Sequence, residues 1–89
     1  TPLIKACKKG NEDIVKFLFE NGADLKKENK DSDTPLIWAC KNGNENIAKL
    51  LIEKGADLNK ANKDGDTPLI WACENRNENI AKILIENGA

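Results

Sequence analysis

The sequence predicts an all-α solenoid: three stacked helix-turn-helix pairs joined by two β-hairpin-like loops. Two observations carry this. The stretch Thr34-Pro35-Leu36-Ile37-Trp38-Ala39-Cys40 also occurs as Thr1-Pro2-Leu3-Ile4-Lys5-Ala6-Cys7 and as Thr67-Pro68-Leu69-Ile70-Trp71-Ala72-Cys73, a period of 33 residues between successive threonines. A fixed period of about 20–50 residues marks an array of stacked units. In the first two units the same order follows each copy: Gly-Asn-Glu, an apolar run, then Gly-Ala-Asp-Leu. The chain therefore divides into units 1–33, 34–66 and 67–89 of one domain.

Each unit opens with a helix. Thr34 is a good N-cap and Pro35 suits the first helical position, where a missing N–H costs nothing. Leu36, Ile37, Ala39 and Cys40 supply an apolar stripe, and Gly43 ends the helix by accepting a left-handed backbone. A helix of about eight residues is unstable alone in water, so it must pack on something. A second helix follows directly. Asn44 caps it, Glu45 places negative charge at its N-terminus, Ile47-Ala48-Lys49-Leu50-Leu51-Ile52 forms its body, and Gly55 stops it. Glu45, Lys49 and Glu53 stand four apart, as do Glu12-Lys16-Glu20 and Glu78-Lys82-Glu86; this spacing predicts ion-pair ladders on a solvated outer stripe. Beyond it lie segments rich in turn formers, about residues 25–33 and 58–66. Asp64-Gly65 is a strong tight-turn signal and Asp31-Ser32 a weaker one.

Composition narrows the function classes. The chain has 89 residues, 39% apolar, with 14 basic and 15 acidic side chains and a formal net charge of −1. Such balance offers no support for wholesale binding to nucleic acid or membranes, and no apolar run approaches the roughly 20 residues of a membrane span. No signal peptide is expected from the opening residues. The three cysteines, Cys7, Cys40 and Cys73, occupy one repeat position. An odd count argues against a disulfide framework, and equivalent points on neighbouring helices lie roughly 8–10 Å apart, beyond disulfide reach. With no His, a zinc site lacks its ligands. All three are expected as small buried hydrophobes in a reducing compartment, cytoplasmic or nuclear.

The pattern Thr-Pro-Leu-x-x-Ala, Gly, an apolar second helix and Gly-Ala-Asp-Leu-Asn resembles the ankyrin repeat over the whole chain. The tetratricopeptide array, with a 34-residue period, lacks both the Thr-Pro-Leu opening and the Gly-Ala-Asp turn. The resemblance implies antiparallel helix pairs with protruding hairpin loops. It also implies a concave face of first helices and loop tips that binds other proteins, without catalysis. Three departures stand out. Ile4, Ile37 and Ile70 replace the family's usual His, removing a polar link between units and adding apolar area. Arg76 stands where Gly10 and Gly43 end the first helix, predicting a strained corner at a cost of about 1 kcal/mol. The ends lack polar capping units, as expected of a piece of a longer array.

Candidate partner-binding residues are those that differ between near-identical units. One position reads Lys5, Trp38, Trp71; the pair before the helix-ending corner reads Lys8-Lys9, Lys41-Asn42, Glu74-Asn75. Loop tips offer Lys30, Asp31 and Asp33, then Lys63, Asp64 and Asp66. Three lysines in the first unit, one in the second and Glu74 in the third form a charge gradient that suits an acidic partner segment, against the plainer reading of a solvated helix face. Charges at such rims act mostly on association rate. Trp38 and Trp71 fit either an interface anchor or packing between units, the preferred reading, with Lys5 placed to lie over Trp38. Leu51 precedes Asn59 within Leu-x-x-x-x-x-Asp-Leu-Asn, which resembles the site of asparaginyl hydroxylases in ankyrin arrays; a loop asparagine bonding locally is the plainer reading. Catalysis fails on inventory, since there is no His, no Tyr and no phosphate-binding glycine loop, and no cofactor or metal is expected.

The function expected is therefore a protein-interaction module, against the alternative of a structural spacer with no partner of its own. Leu3, Ile4, Phe17, Leu18 and Phe19 at one end, and Ile80, Ile83 and Leu84 at the other, are expected to be bare and to invite end-to-end stacking.

Overall fold

Six short helices, in three antiparallel pairs, carry the whole architecture in a computed structural model that describes residues 1–89. They are α1 (Pro2–Lys9), α2 (Glu12–Glu20), α3 (Pro35–Asn42), α4 (Glu45–Glu53), α5 (Pro68–Glu74) and α6 (Glu78–Glu86), with no β-strand. First helices α1, α3 and α5 form one layer and second helices α2, α4 and α6 another. The first-helix layer is packed the more closely of the two.

The cap chemistry holds in every unit. The hydroxyls of Thr1, Thr34 and Thr67 accept from the backbone N–H of Ile4, Ile37 and Ile70 at 3.2, 3.2 and 3.3 Å. Asn11, Asn44 and Asn77 do the same for the second helices. Gly10 and Gly43 end α1 and α3 at φ 72° and 67°. Arg76 holds the equivalent corner at φ 54°, a conformation unfavourable for a residue with Cβ. Accordingly α5 is 7 residues long where α1 and α3 are 8.

The core is one continuous cluster running through the three units. It contains Leu3, Ala6, Cys7 and Val15 of the first, Leu36, Ala39, Cys40, Ile47, Ala48 and Leu51 of the second, and Ala72, Ile80 and Leu84 of the third. Burial tracks position in the stack. Ile4 and Ile37 are 2% and 0% exposed, but the equivalent Ile70 is 40% exposed because no unit lies against it. The same cause corrects the expectation for cysteines: Cys7 and Cys40 are buried, whereas Cys73 is exposed. It also corrects the ends. Leu3, Ile4, Ile80 and Leu84 are buried by their own and the adjacent helix pair. Leu18, Phe19 and Ile83 are half-buried, and the bare apolar groups are Ile14 and Phe17 at one end, Ile70 and Ile85 at the other.

Apolar area alone does not set the register between units; three sets of polar bonds do. Asn42 Nδ2 donates to the carbonyls of Cys7 and Lys8 at 3.1 and 2.7 Å, and Asn75 Nδ2 to those of Cys40 and Lys41 at 3.0 and 2.8 Å. These carbonyls close the preceding first helix; those of Cys7 and Cys40 also accept from the N–H of Gly10 and Gly43. Asn46 and Asn79 donate to the carboxylates of Glu12 and Glu45 at 2.9 and 3.0 Å. The predicted Glu-Lys-Glu ladders form no ion pair; Glu12 and Glu45 are drawn instead to the next unit.

The third set lies in the loops. Each loop folds around one asparagine: Asn29 Oδ1 accepts from the amides of Asp31 and Asp33, and Asn62 Oδ1 from those of Asp64 and Asp66. Asn29 N–H reaches Asp33 O at 3.1 Å and Asn62 N–H reaches Asp66 O at 2.9 Å, closing hairpin-like turns. Gly65 takes φ 80° at one tip and Ser32 φ 62° at the other, as expected of the weaker signal. Asn62 then donates from Nδ2 to Asp33 Oδ1 at 2.8 Å, while Lys63 N–H reaches Asp31 O at 3.0 Å. Asp33 also meets Lys41 Nζ at 3.3 Å.

These contacts set measurable expectations. Asn62→Ala leaves the buried Asp33 Oδ1 and two loop amides without their side-chain partner and should cost about 1–3 kcal/mol in denaturant unfolding. Arg76→Gly should stabilise by up to about 1 kcal/mol in the same measurement. Burial pushes the Cys7 and Cys40 thiols up to about 12, so iodoacetamide at pH 8 should label Cys73 alone until the chain unfolds. The sign for stability follows. Both thiols are protonated in either state below their ordinary 9.0, and that contribution is present in full. As pH rises from there towards 12 only the unfolded chain ionises, so stability should fall across that window.

Candidate functional site

Helices α1 and α3 present lysines and no carboxylate: Lys5, Lys8 and Lys9 on the first, Lys41 on the second. Lys5, Lys8 and Lys9 are exposed and Lys41 is half-buried. The charges are ordered by two half-buried indoles. Lys8 Nζ lies 4.5 Å and Lys41 Nζ 4.3 Å from the centroid of Trp38, and Lys41 Nζ lies 4.7 Å from that of Trp71. Helical spacing explains one contact, since Lys41 stands three residues after Trp38 on the same face. The 33-residue period explains the others, because Lys8 and Trp38 meet across one junction as Lys41 and Trp71 meet across the next. The expected Lys5 contact does not form. Lys5 occupies the tryptophan position itself, at the outer face of the first unit, one turn away from Lys8.

The resulting column runs Lys8, Trp38, Lys41, Trp71 along the first-helix layer. Attraction between a cation and an indole face is worth about 0.5–2 kcal/mol per contact. Lys41 is held by both rings and by the Asp33 carboxylate, so its charge is largely spent inside the fold; Lys8 keeps its ammonium free on the solvent side. Both indole Nε1–H groups are buried without an acceptor. At the end of the column Glu74 takes the place of Lys41. Asp66, half-buried, consequently lacks the ion pair that Asp33 makes.

The remaining candidates separate into two groups. Lys30, Asp31, Lys63 and Asp64 are exposed at the loop tips, and Glu74 is exposed on α5. Asp33 is not a tip residue: it is 1% exposed, drawn inward by Asn62 and Lys41. Asn42 and Asn75, expected from the sequence to be contact residues for a partner, have their side-chain amides engaged with the preceding unit's carbonyls. What sequence reasoning missed are Asn29, Asn62, Asn46 and Asn79. Their signal was present, since asparagines at 42, 46, 75 and 79 occur in the two units with a preceding neighbour, against Lys9 and Asp13 in the first. Asn59 is exposed and its N–H is held by the Asp57 carboxylate at 2.9 Å. Leu51, which completes the hydroxylation-type motif, is 0% exposed, so an enzyme reading both residues requires α4 to open.

Concave space on the surface is mixed in character: hollows lined in part by Phe19, Ala23, Leu25 and Leu50, and by Leu69, Ile70 and Cys73, are partly apolar, and one is wholly polar. A hollow of about 610 Å³ lies at the helix corners, lined by Lys8, Lys9, Asn42, Asn44, Glu45 and Asn46 among others, with no apolar side chain. Such a lining suits polar contact with a macromolecule better than capture of a small apolar ligand. No group of three or more His, Cys, Asp or Glu side chains converges to hold a metal ion, and no helix is long and apolar enough to cross a membrane.

No curated protein matches the chain. A family model for ankyrin repeats in three copies matches residues 3–89. Ankyrin repeats are generally protein–protein interaction modules and typically non-catalytic. The capped helix pairs, the polar junctions between units and this match together place the chain in the ankyrin-repeat family.

Proposed function

We propose that the chain is a non-catalytic interaction module that engages a protein partner through the first-helix face and the loop tips, and that the partner presents an acidic segment there. The observation that carries this reading is the cationic strip on α1 and α3, with Lys5, Lys8 and Lys9 exposed and no carboxylate on either helix. Charge complementarity of this kind steers encounter and selects the sign of the partner. The exposed Lys30 and Lys63 extend the cationic contact to the loops. The free thiols of Cys7 and Cys40 suit a reducing compartment, cytoplasmic or nuclear.

A spacer role is favoured by a different observation. Trp38, Trp71, Asn42 and Asn75, at positions that vary between units, all make contacts across the junctions. Variation at those positions is then a stacking requirement and says nothing of recognition. The two readings part on one titration. Trp38 and Trp71 are the only tryptophans, so their emission reports directly on this face. Deca-glutamate should change that emission saturably, with affinity falling as salt rises. Lys8→Glu combined with Lys63→Glu should weaken it by about tenfold or more. A flat titration at low salt would refute the binding face and leave the spacer.

A further inference from the structure

The corner between first and second helix carries a reactive pair at one junction and an inert one at the other. It reads Asn42-Gly43 in the second unit and Asn75-Arg76 in the third. The two asparagines make the same contacts, each amide donating to two carbonyls of the preceding unit. Only the residue that follows differs. A peptide nitrogen can attack the side-chain carbonyl carbon of the residue before it, and glycine, with no Cβ beside that nitrogen, obstructs the attack least. Arginine at the same place shields it, while holding a strained φ of 54°.

The chemistry needs only water as co-reactant. The Gly43 nitrogen gives up its proton and bonds to Cγ of Asn42; the Cγ–Nδ2 bond breaks, and ammonia leaves with that proton. Water then opens the cyclic imide at either carbonyl. The product is aspartate, or isoaspartate with the main chain rerouted through Cγ. In the stack this reaction is held back twice. Asn42 Nδ2 is tied to Cys7 O and Lys8 O at 3.1 and 2.7 Å, and Gly43 N–H is tied to Cys40 O at 3.1 Å. Ring closure requires the end of α3 to leave its helical backbone, so the junction between the first and second units must open at that corner.

We propose that Asn42 is a site of spontaneous deamidation, reached when this corner opens, and that the product loosens the junction that had protected it. A carboxylate has no proton to donate, and it would face the same two carbonyl oxygens that the amide bonded. Isoaspartate also lengthens the main chain at a corner that Gly43 closes at φ 67°. Opening and modification then reinforce each other: the open corner reacts, and the reacted corner no longer closes fully. The junction between the second and third units carries the same amide without the reactive glycine, so of the two joints the first ages sooner. None of this depends on the lysine strip binding a partner.

Peptide mapping by mass spectrometry, after incubation in mildly alkaline buffer with and without denaturing urea, tests it. In urea Asn42 should convert about tenfold or more faster than Asn75, since the following residue sets the difference. In the folded chain conversion at Asn42 should slow by about tenfold or more. Arg76→Gly should bring Asn75 up to the rate of Asn42 in urea, although the same variant is expected to be the more stable fold. Gly43→Arg should silence Asn42; a Cβ there meets only Asn77 Nδ2, at 3.5 Å. Asn42→Asp, standing for the product, should lower the denaturant midpoint. If that variant does not fold, limited proteolysis of a partly converted native sample gives the same reading, and the chains cut first should be enriched in conversion at Asn42. Equal rates at Asn42 and Asn75 in urea overturn the site. Equal rates at Asn42 with and without urea overturn the protection by the junction. An unchanged midpoint for Asn42→Asp, or proteolysis blind to conversion at Asn42, overturns the loosening.

Discussion

Everything in this chain depends on one unit lying against the next. A helix of seven to nine residues has too few internal hydrogen bonds to offset the entropy of ordering it, and a single pair of such helices buries only one face. The core cluster is continuous through all three units, and the middle one supplies the largest share, Leu36, Ala39, Cys40, Ile47, Ala48 and Leu51. Burial at a given repeat position is consequently a property of the stack and not of the residue. Ile37 and Ile70 are the same residue in the same local sequence, yet they differ from 0% to 40% exposed. Local helix and turn signals build the unit; the junction makes it stable.

The junction has two layers of control. Apolar contact supplies most of the free energy, at about 25 cal/mol per Å² removed from water, but it is non-directional and would tolerate sliding of one unit past the next. The asparagine bonds remove that freedom. Asn42 and Asn75 tie the helix corners, Asn46 and Asn79 tie the second helices, and Asn62 ties one loop to the next through a buried carboxylate. With isoleucine in place of the family's usual histidine after Thr-Pro-Leu, the polar register is carried by these amides. An amide suits this role because it is uncharged and because it donates without depending on pH.

Much of this is legible in the sequence, and the part that is not shares one physical cause. The caps at Thr1, Thr34 and Thr67, the corner at Gly43, the strain at Arg76 and the turn at Asp64-Gly65 are all local. Each is set by the conformational preferences of one or two residues, and the structure agrees with the sequence at every one. Cys73, Asp33, Ile70 and the pairing of Lys8 with Trp38 depend on which unit lies alongside. Period alone tells that units repeat, without telling which face of a residue the neighbour covers. Asn62 shows the limit well. A loop asparagine is expected to bond its own turn, which it does with Oδ1, while its Nδ2 reaches the preceding loop. The difference between Lys9 and Asn42 holds the missing information, since an amide is used only where a preceding helix end is present to receive it.

The same reasoning changes what the charge gradient along the first helices means. Read as a row of surface charges, Lys5, Lys8, Lys9, Lys41 and Glu74 describe a face that becomes less basic from one end to the other. Placed on the stack, they fall into different roles. Lys41 is held between two indoles and a carboxylate, and replacing it by Glu74 in the third unit leaves Asp66 unpaired where Asp33 is satisfied. Lys8 shares one indole and keeps a free side, and it alone of the inner lysines is both ordered and available. Lys5 and Glu74 belong to the outer faces, with opposite signs at the positions that meet in every internal junction.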